Sequence, residues 1–328
     1  MLECLEGKSE VALSRRFSIF ERTRLLRAVC WPGFLFWTLG VLALPDPEPK
    51  VGVAPMTEWL VEISWLHANL KKSDLILVDT RTQEEYMEGH IPGAVWLDLS
   101  DLPAKTSDQG LQELGRQLSQ KMSLLGITGT ERVVFYEEHT GARAPRALWF
   151  LTYSGYLNGS VLHGGISAWR GANYAQSWQS VVRESRPFQV KENSQVLASA
   201  DYVLRSIKNP GCVILDVRSQ EEYLGLDPKQ NSRSGHIPGA VWLEWKELLD
   251  GTMNYKSLAG LQKRLSEAGI TPDKEVITYC QSGSRSSNTY LALRILGYPR
   301  LKNYIASWQE WSSRLDLPVE KQRVPPTP

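Results

Sequence analysis

An internal duplication constrains this chain more than any other feature. The first copy reads Leu75-Ile76-Leu77-Val78-Asp79-Thr80-Arg81, then Glu84-Glu85-Tyr86, then Gly89-His90-Ile91-Pro92-Gly93-Ala94-Val95-Trp96-Leu97. The second reads Val213-Ile214-Leu215-Asp216-Val217-Arg218, then Glu221-Glu222-Tyr223, then Gly235-His236-Ile237-Pro238-Gly239-Ala240-Val241-Trp242-Leu243. Each continues into a helical segment (111–125; 257–268), a strand (132–136; 275–279) and a helix ending in Gly-Tyr. A repeat of this length predicts two similar domains. Strands alternating with helices predict an α/β fold, each domain a parallel sheet flanked by helices. The expected bounds are 56–175 and 199–320, with a polar linker over 176–198 and a tail over 321–328.

The copies differ where chemistry is expected. In the second, Val276-Ile277-Thr278-Tyr279 reads as a short buried strand that stops at Cys280. Gln281-Ser282-Gly283-Ser284-Arg285-Ser286 then suits a tight loop, and 288–296 has helical spacing with Gly297 as its cap. A lone cysteine thus stands at the carboxyl end of a strand, before a helix start. Ligands of open α/β sheets bind there, helix N-termini carry unpaired amides, and Arg285 adds a full positive charge. Each effect favours thiolate over thiol, which makes Cys280 a candidate nucleophile. The competing reading is a buried structural cysteine beside a solvated arginine.

The chain has 328 residues, room for two ordinary domains, and a formal net charge of +1 without a basic block, which speaks against nucleic acid. Its four cysteines, Cys4, Cys30, Cys212 and Cys280, form no CxxC pair and no zinc spacing. Cys212 reads as packing. Five arginines between Arg15 and Arg27 precede an apolar run over 28–44, and a Pro-rich linker over 45–55 follows. The run is close to the lower limit for a membrane span and long for a signal core, with the charge asymmetry of a cytoplasmic N-terminus. Export or membrane anchoring is favoured over a cytoplasmic protein starting near Met56.

Strand-Asp-x-Arg, Glu-Tyr, Gly-His-Ile-Pro-Gly-Ala and strand-Tyr-Cys-loop-Arg together resemble the rhodanese family of sulfurtransferases. The tandem arrangement, with the cysteine only in the second copy, resembles the two-domain thiosulfate and 3-mercaptopyruvate enzymes over about residues 57–316. His90, His236, Asp79, Arg81, Asp216 and Arg218 occur in both copies, so they read as scaffold. Aligning Tyr136 with Tyr279 sets Glu137 opposite Cys280. A carboxylate cannot carry sulfane sulfur, so the first copy is expected to be inactive.

The resemblance implies further roles. Ala144-Pro145-Arg146 is similar to the family segment whose arginine reaches an anionic substrate across the domain interface. Arg146 is the candidate for that task and Arg143 the second, since a guanidinium donates paired hydrogen bonds to an oxyanion. Cys280 would attack the outer sulfur of a small anionic donor while Arg146 and Arg285 hold its charge. Gln281, Ser282, Gly283, Ser284 and Ser286 would surround the resulting persulfide, which a thiol or cyanide then discharges. No metal or organic cofactor is required. The insertion over 225–234, unique to the second copy, resembles a loop near the active site of tandem members. Arg233 could face the pocket there, although a solvated charge is the plainer reading. Four residues separate Cys280 from Arg285, one fewer than in phosphatases of the same fold. Cys-Gln-Ser-Gly-Ser-Arg and Thr152, which stands where mercaptopyruvate enzymes carry a second arginine, favour thiosulfate. Mercaptopyruvate as donor, and a non-catalytic persulfide carrier, remain the alternatives.

Overall fold

In the computed structural model, which describes residues 56–102 and 105–321, the β-branched runs of both copies lie at the centre of parallel sheets. The first copy contains α1 (Met56–Trp59), β1 (Leu60–Val61), α2 (Ile63–Asn69), β2 (Leu75–Asp79), α3 (Gln83–Met87) and β3 (Val95–Trp96). It continues with α4 (Asp108–Ser123), β4 (Arg132–Tyr136), α5 (Arg143–Tyr153), β5 (Gly159–Leu162) and α6 (Gly165–Gly171). The second contains α7 (Ala200–Ser206), β6 (Cys212–Asp216), α8 (Gln220–Leu224) and β7 (Val241–Trp242). A short 3₁₀ turn, Trp245–Leu248, leads to α9 (Leu258–Glu267), β8 (Glu275–Tyr279), α10 (Ser284–Ile295), β9 (Leu301–Asn303) and α11 (Ser307–Ser313).

The sheet orders are β1-β5-β4-β2-β3 and β7-β6-β8-β9. Every pairing between these strands is parallel. Leu197 makes a parallel bridge to Asn303 and so occupies, as one residue, the edge that β1 fills in the first sheet. Central strands buried on both faces explain the continuous apolar runs.

The residues shared by both copies form matching braces. Arg81 grips Asp79 and donates to the Gly89 carbonyl at 2.8 Å; Arg218 grips Asp216 and donates to Gly235 at 2.8 Å. His90 stacks on Tyr86 and His236 on Tyr223, with centroids 3.9 and 3.8 Å apart. Each histidine ring also bonds the carbonyl of the tyrosine beneath it. These groups hold β2 and β6 to their following turns, as scaffold.

The segment over 176–198 has no helix or strand, yet it is strapped to the first domain. Arg186 and Lys191 donate their amides to Ser123 and Ser154, and Phe188 is buried. One apolar cluster spans both domains: Trp149 and Phe150 of α5 belong to it together with Tyr290 and Leu293 of α10. The apolar run over 28–44 lies outside the described residues, and among the described residues no helix is long and apolar enough to cross a membrane.

Candidate active site

β8 buries its apolar residues and ends at Tyr279, which sets Cys280 at the carboxyl edge of the sheet. The backbone then turns through Gly283, whose φ of 89° is left-handed. A Cβ there would stand 2.4 Å from the Ile305 carbonyl oxygen, so glycine is needed both for the angle and for the space. α10 begins directly afterwards without a side-chain cap. The Gly283 amide donates instead to Cys280 Sγ at 3.2 Å. Cys280 is 1 % exposed. Burial raises the thiol's pKa, but the Arg285 charge, the amides of Ser286 and Ser282 and the Ser286 hydroxyl outweigh it and bring the thiol below its ordinary value.

Arg285 acts through its charge and not by touching the cleft. Its guanidinium, expected at the donor, forms a two-pronged bond to Glu222 at 2.6 and 2.8 Å. Glu222 closes the capping box that starts α8 and is itself buried, so it requires a cation beside it. Gln281 is also redirected. Its amide pairs reciprocally with Asn231 of the insertion, at 2.7 and 3.1 Å. Ser286 is fully buried, with Oγ 2.8 Å from Asn303 Oδ1 and 3.1 Å from the Gly283 carbonyl. It therefore supports the loop from below.

A cleft of about 1190 Å³ opens between the domains over this loop. Ser282, Ser284 and Gln309 line it from the second domain, and Trp96, Arg143 and Arg146 from the first. Arg146 is buried, with Nη1 donating to the Leu99 carbonyl at 2.9 Å and Nη2 to Leu102 at 3.3 Å. Its Nε–H, buried as well, has no partner. Burial lowers the Arg146 pKa while the Cys280 charge acts the other way, so the two groups sense each other across the interface. The guanidinium thus brings a desolvated positive charge to the wall of the cleft. Arg143 is more than half exposed and reaches Glu85 at 3.3 Å.

The first copy uses the same layout without the sulfur. Glu137 follows β4 as Cys280 follows β8. Its Oε1 accepts the amides of Arg143 and Ala144, and burial raises its pKa to about 7. Cys212 is half-buried, and burial beside Glu275 pushes its thiol up to about 11, which suits packing and not chemistry.

Of three further residues that shape the surroundings of the site, Ser307 alone has no obvious sequence signal. Ser307 Oγ accepts the Cys280 amide at 3.1 Å and lies 3.9 Å from Sγ. Glu222 could have been inferred from the Ser219-x-x-Glu222 capping-box spacing. Arg233 neither faces the cleft nor floats in solvent. It donates to the carbonyls of Trp311, Ser312, Arg314 and Leu317 at 2.5 to 2.8 Å and clasps the end of α11.

Comparison with known proteins agrees with this architecture. The rhodanese-like domain model matches residues 62–172 and 199–314. The thiosulfate sulfurtransferase of Azotobacter vinelandii is 37% identical over 266 residues, covering 80% of this chain and 96% of the relative. That of Pseudomonas aeruginosa is 34% identical with the same coverage. The 3-mercaptopyruvate sulfurtransferase of Escherichia coli K12 is 30% identical over 278 residues, 80% of this chain and 98% of the relative. Among solved structures, the Escherichia coli 3-mercaptopyruvate sulfurtransferase SseA superposes with a TM-score of 0.67 at 28% identity, covering 77% of this chain and 99% of SseA. EanB in complex with ergothioneine gives 0.72 at 22% identity, over 82% of this chain and 71% of EanB, a likeness of fold alone. Duplicated sheets, matching braces and two family-model matches lead to one conclusion: this chain belongs to the rhodanese family of sulfurtransferases, with two rhodanese-like domains in tandem.

Proposed function

We propose that the protein transfers the sulfane sulfur of thiosulfate to a thiophilic acceptor through a persulfide on Cys280. One observation carries this reading: a cysteine held below its ordinary pKa stands at an uncapped helix start, beneath a cleft whose far wall is lined by the buried cation of Arg146. The Cys280 thiolate attacks the outer sulfur of thiosulfate. A Cys–S bond forms, the S–S bond of thiosulfate breaks, and sulfite leaves with the bonding pair. Arg146 neutralises the departing sulfonate oxygens. The Ser282 and Gly283 amides and the Arg285 charge hold the terminal persulfide sulfur. Cyanide or a thiol then attacks that sulfur, and the electron pair of the S–S bond returns to Cys280. The cycle is a two-step covalent exchange.

The donor assignment rests on charge geometry. Thr152 donates to its own helix at the Leu148 carbonyl, 2.8 Å away, so α5 carries no second buried arginine beside Arg146 for a carboxylate, and its other cation in the cleft, Arg143, is exposed and paired with Glu85. The two thiosulfate relatives, at 37% and 34% identity against 30% for the mercaptopyruvate relative, lean the same way.

The test follows thiocyanate formed from cyanide, with thiosulfate and separately with 3-mercaptopyruvate, for wild type and Cys280→Ser. Thiosulfate-dependent turnover, abolished by the serine, is the expected result. Faster turnover with mercaptopyruvate would reverse the donor assignment. A single loading without turnover would identify a carrier.

A further inference from the structure

Neither α5 nor α10 is capped by the side chain of its own N-cap residue, Ala142 and Gly283 respectively. In the second copy that vacancy is the reaction site, where the sulfur takes the Gly283 amide. In the first copy Glu137 fills it with a carboxylate. Its Oε1 accepts the Arg143 amide at 2.7 Å and the Ala144 amide at 2.8 Å. The Ala142 amide adds a weaker pull that lowers the pKa of this carboxylate, and Pro145 has no N–H to satisfy. The first two helical amides are thereby satisfied by a residue five positions before the N-cap. Gly141 leaves the space, since a Cβ there would lie 2.4 Å from Glu137 Oε2.

What this cap holds matters for the other copy. The first turn of α5 delivers Arg143 and Arg146 to the cleft. The capped loop also docks on the working domain, because Asn288 of α10 donates its amide to the Thr140 and Gly141 carbonyls. We infer that Glu137 is a positioning residue of the working site: standing where the nucleophile stands in the other copy, it fixes the start of α5 and so aims Arg146 at the donor. The inference rests on the sulfur-transfer reading above and deepens it. The copy without a cysteine then contributes the donor clamp, and its carboxylate keeps that clamp in register.

The sign of the charge effect separates positioning from plain electrostatics. Removing a negative charge near the cleft would by itself favour an anionic donor. Losing the aim of Arg146 disfavours one. The experiment compares full-chain wild type, Glu137→Gln and Glu137→Ala at a pH of about 8.5, where the wild-type carboxyl is ionised. It measures KM and kcat for thiosulfate, and the rates at which anionic iodoacetate and neutral iodoacetamide alkylate Cys280. The expected result is a thiosulfate KM raised about three- to tenfold, the scale of a lost charged helix cap, with kcat within about twofold. The iodoacetate-to-iodoacetamide ratio should fall in step while the iodoacetamide rate holds. An unchanged or lowered KM with an unchanged or raised ratio would overturn the inference. So would an equal loss of iodoacetamide reactivity, which would mean general loosening of the loop. If wild type fails to turn over thiosulfate, the donor assignment fails by itself, and the alkylation ratio still decides the role of Glu137. If the alanine variant does not fold, the isosteric glutamine variant decides.

Discussion

Ser307 holds a left-handed backbone, φ 55°, that serine rarely adopts. Ile166 and Trp308 donate their amides to the carbonyls of Glu137 and Cys280 respectively, so Gly165 of the first copy is its counterpart, with φ 59°. The first copy uses glycine there; the second accepts strain on the order of 1 kcal/mol to put a hydroxyl beside the nucleophile. Ser307→Gly should relieve that strain and offset the lost hydrogen bonds, while Ser307→Ala keeps the strain and loses them. Glycine is expected to be the more stable variant by about 1 kcal/mol in denaturant titration, with both slowed in sulfur transfer. Wild-type transfer rates in Ser307→Gly would show the hydroxyl to be dispensable. Cys280 was legible because its loop, charge and helix start are contiguous in the chain. Ser307 was not, since its meaning appears only when the fold sets it against Gly165. Arg285 and Gln281 turn to other partners for a related reason: the sequence places an arginine five positions after a cysteine, but the direction of its side chain depends on Glu222, far away in sequence and close in space.

At the level of elements, repetition carried the reading. Short apolar runs mark the five-residue strands β2, β4, β6 and β8, and capping residues at Thr82, Ser107, Ser219 and Ser257 begin α3, α4, α8 and α9. The two-residue strands β1, β3 and β7 were beyond a periodicity argument, because too few residues alternate to declare a strand. The insertion over 225–234 shows how a loop without regular structure is held. Arg233 binds the end of α11, and Asn231 binds Gln281. Bonds from a charged donor to carbonyls are worth about 1.5–3 kcal/mol each where they are dry, and less at a half-exposed site such as this one. Arg233→Gln should therefore free the insertion, and trypsin should cut after the exposed Lys229 markedly faster than in wild type. An unchanged cleavage rate would mean that the Asn231–Gln281 pair holds the loop unaided.

At the scale of the molecule, duplication has separated two tasks. Each copy builds a strand end, a loop and a helix start that together form a nest for an anion. One nest holds the Cys280 sulfur, on which the proposed cycle loads and discharges a second sulfur. The other holds a carboxylate that cannot, and the helix it caps supplies the arginine for the shared cleft. The joint between the copies is a buried apolar seam along α5 and α10, pinned by Asn288 and by Thr106, whose amide and hydroxyl bond Glu310 at 2.7 and 2.6 Å. That seam keeps Arg146 and Cys280 in mutual range, which neither domain could arrange alone. The most direct test of the account is the intact mass of the protein after excess thiosulfate and removal of small molecules, without an acceptor. A gain of one sulfur atom is expected, located on Cys280, lost on adding cyanide and absent in Cys280→Ser. A stable gain elsewhere, or no gain in protein that turns over thiosulfate, would contradict a Cys280 persulfide as the intermediate.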